Sequence, residues 1–197
     1  MRERKNRAVR AASFVLRAFL LPFFRLEADG IENMPETGPF VLLPKHQRWE
    51  DIPLLGLTAP RPLYYVAKYE LFKNPLISRL LMSLGGIPLN RQRPMESRQS
   101  INSVVSYLRR GEGVVVFPEG TYYRERMGPG RSGMIRLILG RLSPPFIPVG
   151  IRYLGGGLPI KVNIRFGRPF YAQPENSLNL FVDHMMKEIA ELSGLNP

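Results

Sequence analysis

Cysteine is absent from all 197 residues. Disulfides and thiolate metal ligands are thereby excluded, and a reducing compartment is the natural reading. Histidine is nearly as scarce: there are two, far apart in sequence. That inventory gives no histidine-based metal centre, and no metal is expected. Long apolar runs are missing as well. The best candidate, residues 14–24, is broken by Arg17 and falls short of the ~20 apolar residues that span a bilayer. Acids are few, 16 against 28 lysines and arginines, which leaves a net charge of +12. An imbalance of that size implies an anionic partner: nucleic acid, an anionic membrane surface or an acidic carrier. No basic strand face carries the aromatic pattern of a base-stacking platform, so nucleic acid is set aside.

What is present describes a folded chain. At 44% hydrophobic and this length, one domain buries roughly 70% of its unfolded surface. The basic excess gathers near the start, where Arg2, Arg4, Lys5, Arg7, Arg10, Arg17 and Arg25 face Glu3 alone. Basic, aromatic and leucine residues interleaved in this way suit an amphipathic helix lying among lipid headgroups, predicted for residues 1–25. A secretory signal is the rival, but Arg17 interrupts its apolar part and Pro22-Phe23-Phe24-Arg25 is a poor cleavage site. Residues 26–197 are assigned to a single domain.

Apolar runs over residues 40–43, 63–66, 113–117, 146–153 and 160–166 read as strands, with a short one running into a basic loop over 85–91 and a strand or turn at 26–31. Helical spacing recurs over residues 52–57, 70–84, 97–110, 133–142 and 178–192. Alternation of the two predicts an α/β domain, its sheet mostly parallel or mixed, with helices on both faces.

Three polar clusters follow strands directly: residues 46–51, 90–93 and 119–126. Parallel strands aim their C-terminal ends one way, so these loops converge on one rim. The first contains Lys45-His46-Gln47-Arg48-Trp49-Glu50-Asp51. A neutral imidazole takes a proton from a hydroxyl, while a carboxylate fixes its tautomer and stabilises the imidazolium. His46 and Asp51 are therefore the catalytic candidates. Alone, the spacing is weak evidence, because a structural histidine explains most such pairs. No Gly-x-Ser-x-Gly elbow is present to supply a serine nucleophile. Arg91, Arg93, Arg124 and Arg126 offer guanidinium groups to phosphate or carboxylate, or are solvated loop residues. Glu119 either binds a substrate hydroxyl or holds an arginine in place.

Four ordered blocks together resemble the glycerolipid acyltransferase family, which contains the lysophosphatidic acid and glycerol-3-phosphate acyltransferases. His46 to Asp51 resembles its first block, His-x-x-x-x-Asp. Residues 86–91, a glycine, apolar residues and Arg91, resemble the second. Phe117-Pro118-Glu119-Gly120-Thr121 is similar to the third, and Phe146-Ile147-Pro148-Val149 to the fourth. The resemblance spans roughly residues 26–192. It implies acyl transfer from a coenzyme A or acyl carrier protein thioester to a lysophospholipid hydroxyl, most simply that of 1-acyl-sn-glycerol-3-phosphate. His46 would be general base and Asp51 its orienting partner. Arg91, Glu119, Gly120, Thr121 and Arg124 would bind the acceptor, and Pro148 would shape the acyl-donor side. The thioester is already activated, so no cofactor is expected beyond the co-substrate. The setting implied is the cytoplasmic face of a membrane, on anionic lipid.

Two departures from the family pattern stand out. Lys45 occupies a position that is often asparagine; a cation there would disfavour imidazolium and help keep His46 neutral. Tyr122 follows Glu-Gly-Thr where an arginine is common, which removes one expected phosphate contact.

Overall fold

The structure is a computed structural model and describes residues 17–90, 94–172 and 177–196, the side chains of 94–97 excepted. Among the described residues seven strands form one sheet: β1 (Phe24–Asp29), β2 (Phe40–Pro44), β3 (Leu63–Lys68), β4 (Gly86–Leu89), β5 (Gly113–Val115), β6 (Phe146–Leu154) and β7 (Ile160–Phe166). Their order is β1-β7-β6-β2-β5-β3-β4. Strands β6, β2, β5, β3 and β4 run parallel, β7 runs antiparallel to β6, and β1 runs with β7. The sheet is therefore mixed, as expected.

Among the described residues from β1 onward there are five α-helices, of which all but the second pack on the sheet: α1 (Asp51–Thr58), α2 (Pro75–Ser83), α3 (Pro94–Arg109), α4 (Gly133–Leu139) and α5 (Leu178–Ser193). Strand β2 is buried along its whole length, as a central strand covered on both faces must be. Its side chains alternate between two cores. Phe40 and Leu42 join Leu54, Leu55 and Leu57 of α1 on one face. Val41 and Leu43 join Val104 and Leu108 of α3, Ile135 and Ile138 of α4, and Met185 and Ile189 of α5 on the other. Each such leucine or isoleucine contributes about 1.5–3 kcal/mol of burial.

The interfacial helix predicted over residues 1–25 lies mostly outside the described residues. Residues 17–20 are helical and Leu20 is buried in the α1-side core. Strand β1 already begins at Phe24, so the boundary drawn after residue 25 falls inside the first strand. No helix among the described residues is long and apolar enough to cross a membrane.

Candidate active site

Strand β2 ends at Pro44, and the chain turns through His46 into α1, whose first residue is Asp51. The loop closes around that carboxylate. Asp51 Oδ2 faces His46 Nδ1 at 3.1 Å and accepts the backbone N–H groups of Gln47 at 2.6 Å and Arg48 at 2.8 Å. Oδ1 accepts the Tyr153 hydroxyl at 2.6 Å. Asp51 is fully buried. With this acceptor beside it, Nδ1 carries the ring proton, and Nε2 is left with a free lone pair.

The imidazole is clamped by aromatics as well. It stacks on Phe117 at 3.8 Å between ring centres and meets the edge of Tyr122 at 4.4 Å. Only 10% of the side chain reaches solvent, while Trp49 and Tyr122 at its border are exposed. The base is thus oriented and nearly buried beside exposed aromatics.

Gln47, Phe117 and Tyr153 are the site residues that motif reading missed. Tyr153 sits at the exit of β6, 102 residues from its partner Asp51. Residues 147, 149, 151 and 153 share the α1 face of β6, and the register Pro44↔Val149 carries Tyr153 up to the start of α1. Burial above all, then the Asp51 charge, pushes its hydroxyl far above the ordinary phenol value, so it stays a donor at any working pH. Arg48 lies over the Tyr153 ring at 4.4 Å. Gln47 ties the loop sideways, donating to the Ile151 carbonyl at 2.7 Å and accepting from the Glu125 N–H at 3.0 Å.

Strand β5 is the neighbour of β2 and delivers the second cluster beside the first. Tyr123 N–H donates to the His46 carbonyl at 2.9 Å. Gly120, at φ +70°, turns the chain in the left-handed region that glycine adopts without strain. Thr121 is half-buried and Arg124, Arg126 and Arg131 are exposed on this loop; Arg126 lies over the Tyr123 ring and Arg131 donates to the Glu119 carbonyl.

Glu119 has a different place from the one predicted. It is fully buried. Both its oxygens accept from Lys45 Nζ at 2.8 Å, Oε2 also from His46 N–H at 3.0 Å, and Oε1 from Gly128 N–H at 2.7 Å. The carboxylate is saturated inside the fold, where it joins the two loops and leaves no oxygen for an acceptor. Its cation is Lys45 and not an arginine. Lys45 in turn donates to the Tyr123 carbonyl at 2.7 Å. Its charge is met by Glu119, which removes the basis for the predicted effect on His46.

Pro148 also departs from its predicted role. It alternates with Ile147 and Val149, so its side chain faces away from α1, towards Gly167 and Leu192 of α5. A proline is tolerated in this inner strand because the β6–β7 ladder starts only at Val149↔Phe166. Arg91, with Arg93, lies outside the described residues. Strand β4, which precedes it, is three strands from β2, about 14 Å across the sheet.

Comparison with known proteins gives one consistent picture. A family model described as "Acyltransferase" matches residues 25–152. The 1-acyl-sn-glycerol-3-phosphate acyltransferase of Bacillus subtilis is 30% identical over 145 residues, covering 71% of each chain. A lyso-ornithine lipid O-acyltransferase of Pseudomonas aeruginosa is 32% identical over 128 residues, covering 61% of this chain and 46% of its own. The chain spans about half the length of several of its curated relatives. Among solved structures, the 1-acyl-sn-glycerophosphate (LPA) acyltransferase PlsC of Thermotoga maritima superposes with a TM-score of 0.74 at 23% identity, covering 100% of this chain and 85% of that one.

Proposed function

The chain belongs to the acyltransferase family, and from that premise we propose that it moves a fatty acyl group from a coenzyme A or acyl carrier protein thioester to the hydroxyl of 1-acyl-sn-glycerol-3-phosphate. The observation that carries this reading is the His46 ring, held at Nδ1 by a buried carboxylate so that the lone pair falls on Nε2. The acceptor O–H gives its proton to Nε2 as its oxygen attacks the thioester carbonyl. Asp51 stabilises the imidazolium so formed. The tetrahedral intermediate collapses, the C–S bond breaks, and the proton passes from Nε2 to the leaving sulfur. The exposed arginines of the 119–131 loop supply charge for the acceptor phosphate. The reaction runs at an anionic membrane surface, with no cofactor besides the thioester.

One observation favours a second acceptor. Tyr122, standing where an arginine is common in the family, packs its edge on the imidazole and brings no charge to the site mouth. A lyso-lipid with a zwitterionic headgroup, such as lyso-ornithine lipid, meets less penalty there than in a site lined by guanidinium.

The test is an acceptor panel offered both thioesters and read by mass spectrometry. Phosphatidic acid from lysophosphatidate is the expected product. Diacylated ornithine lipid alone would establish the second acceptor, and no acylated product from any acceptor would overturn both readings.

Asp51→Asn probes the proton path. One oxygen faces Nδ1 and accepts both loop N–H groups, so the amide either keeps its carbonyl there and loses the charge that stabilises the imidazolium, or turns a donor to Nδ1 and disfavours the tautomer with a free Nε2. The expected result is a fall in kcat on the order of 10²–10⁴-fold with KM little changed. A rate near wild type would show that the carboxylate does not act through the ring.

A further inference from the structure

Helix α2 (Pro75–Ser83) is well specified and poorly covered. Asn74 caps it, accepting the N–H groups of Leu76 at 2.9 Å and Ile77 at 3.2 Å, and Pro75 pre-sets its first turn. None of its residues is buried, and none belongs to either core cluster. Its apolar side chains point outward instead: Leu76 is 75% exposed, Leu80 57% and Ile77 49%. Leu76 and Leu80 lie one above the other on one face. The preceding turn adds Tyr69 and Leu71, both exposed. A contiguous apolar surface of this kind marks an interaction site.

Charge and position indicate the partner. Lys68, Lys73 and Arg79 are exposed around the patch, against the single acid Glu70 in that stretch. Apolar side chains ringed by cations are the pattern of a helix that enters an anionic lipid interface. Strand β3 runs parallel to β2 through β5, so the turn after Lys68 emerges on the rim that carries His46. At the far end of the same rim, where β1 and β7 begin, Phe19, Phe23 and Leu158 are exposed. Trp49 and Tyr122 lie between them, also exposed. The rim is seven strands wide, about 29 Å, and is apolar at both ends and at the centre.

We infer that the α2 crossover, residues 69–83, is a second membrane-contact element that inserts into the interface of an anionic phospholipid bilayer and turns the His46 rim toward the lipid. Tyr69, Leu71 and Leu76 enter first. Leu80 follows one turn farther from the rim, about 5.4 Å on, and so enters less deeply, within the roughly 5–10 Å that interfacial helices reach. Lys68, Lys73 and Arg79 stay among the headgroups. This contact does not depend on the chemistry at His46.

The absence of cysteine makes a direct test clean. Leu76→Cys in the full chain carries a unique environment-sensitive fluorophore. Addition of phosphatidylcholine vesicles containing phosphatidylglycerol should shift its emission to the blue, and no shift would overturn the inference whatever else binds the vesicle. Leu76→Ser with Leu80→Ser, at exposed positions that leave the fold intact, should weaken vesicle partition about tenfold or more. Lys73→Glu should cost about fivefold, and only on the anionic vesicles. A lipid-free dimer that dissociates on the double serine change would assign the patch to a second copy of the chain and overturn the membrane reading. These measurements need no thioester, so loss of the acyl-transfer reading would leave them standing.

Discussion

His46→Ala should lower acyl transfer by about 10²–10⁴-fold while the protein stays folded. Four donors converge on Asp51, and two of them are loop N–H groups. That carboxylate therefore keeps the loop closed after the imidazole is gone. Phe117 loses a stacking partner, worth about 0.5–1.5 kcal/mol, and the backbone ties through His46 N–H and its carbonyl persist. A loss of rate with a melting temperature only a few degrees lower is thus the signature of a missing base. The reaction should fall in kcat more than in KM, since Nε2 takes charge only as the acceptor attacks. Activity within a few fold of wild type would falsify catalysis by His46, and an unfolded variant would be answered with His46→Gln, which fills the same space without a base.

Much of the architecture is legible from pattern alone because each strand is either apolar throughout or alternating, and each helix repeats near 3.6. Residues 146–153 and 160–166 are strands in the structure almost to the residue. The apolar periodicity of residues 178–192 becomes α5, closed by Gly194 in the left-handed region. What pattern does not carry is pairing between distant segments. Lys45 and Glu119 are 74 residues apart, and Asp51 and Tyr153 are 102 apart. Their meeting is decided by strand order, β6-β2-β5, which no local signal records. For that reason motif reading names residues on these loops but not the partners that fix what each can do. Glu119 looks like a binding carboxylate when read beside Gly120 and Thr121. Only the neighbouring strand reveals the ammonium that it serves. Pro148 sits in a family block, but its face of β6 follows from counting residues from Tyr153, whose contact with Asp51 is a product of the fold.

Lys45→Met should cost about 3–5 kcal/mol in stability, the expected result of stranding a buried carboxylate. Both partners are fully buried. Burial pulls the Lys45 ammonium below the ordinary lysine value, against the hydrogen bond and charge of Glu119 and the charge of Asp51. Desolvation thus outweighs the attractions at Lys45, and removing one half of such a buried pair is worse than removing both. The companion changes should separate these cases. Glu119→Gln alone keeps an oxygen for His46 N–H or Gly128 N–H but leaves the ammonium buried without a counter-charge. Lys45→Met with Glu119→Gln removes both charges and should recover most of the stability lost in Lys45→Met, which urea denaturation of the four proteins would measure as a double-mutant cycle. Activity should track geometry more than stability. Glu119 fixes the backbone of His46 at one end of the loop and Gly128 in the next, so a loosened carboxylate shifts the ring relative to the acceptor, and a 1 Å error in a reacting group costs about 10²-fold. A double variant that regains stability yet stays slow would make the ion pair a device for aiming the base. A double variant whose loss is the sum of the two single losses would show no coupling between Lys45 and Glu119 and would overturn the ion-pair reading.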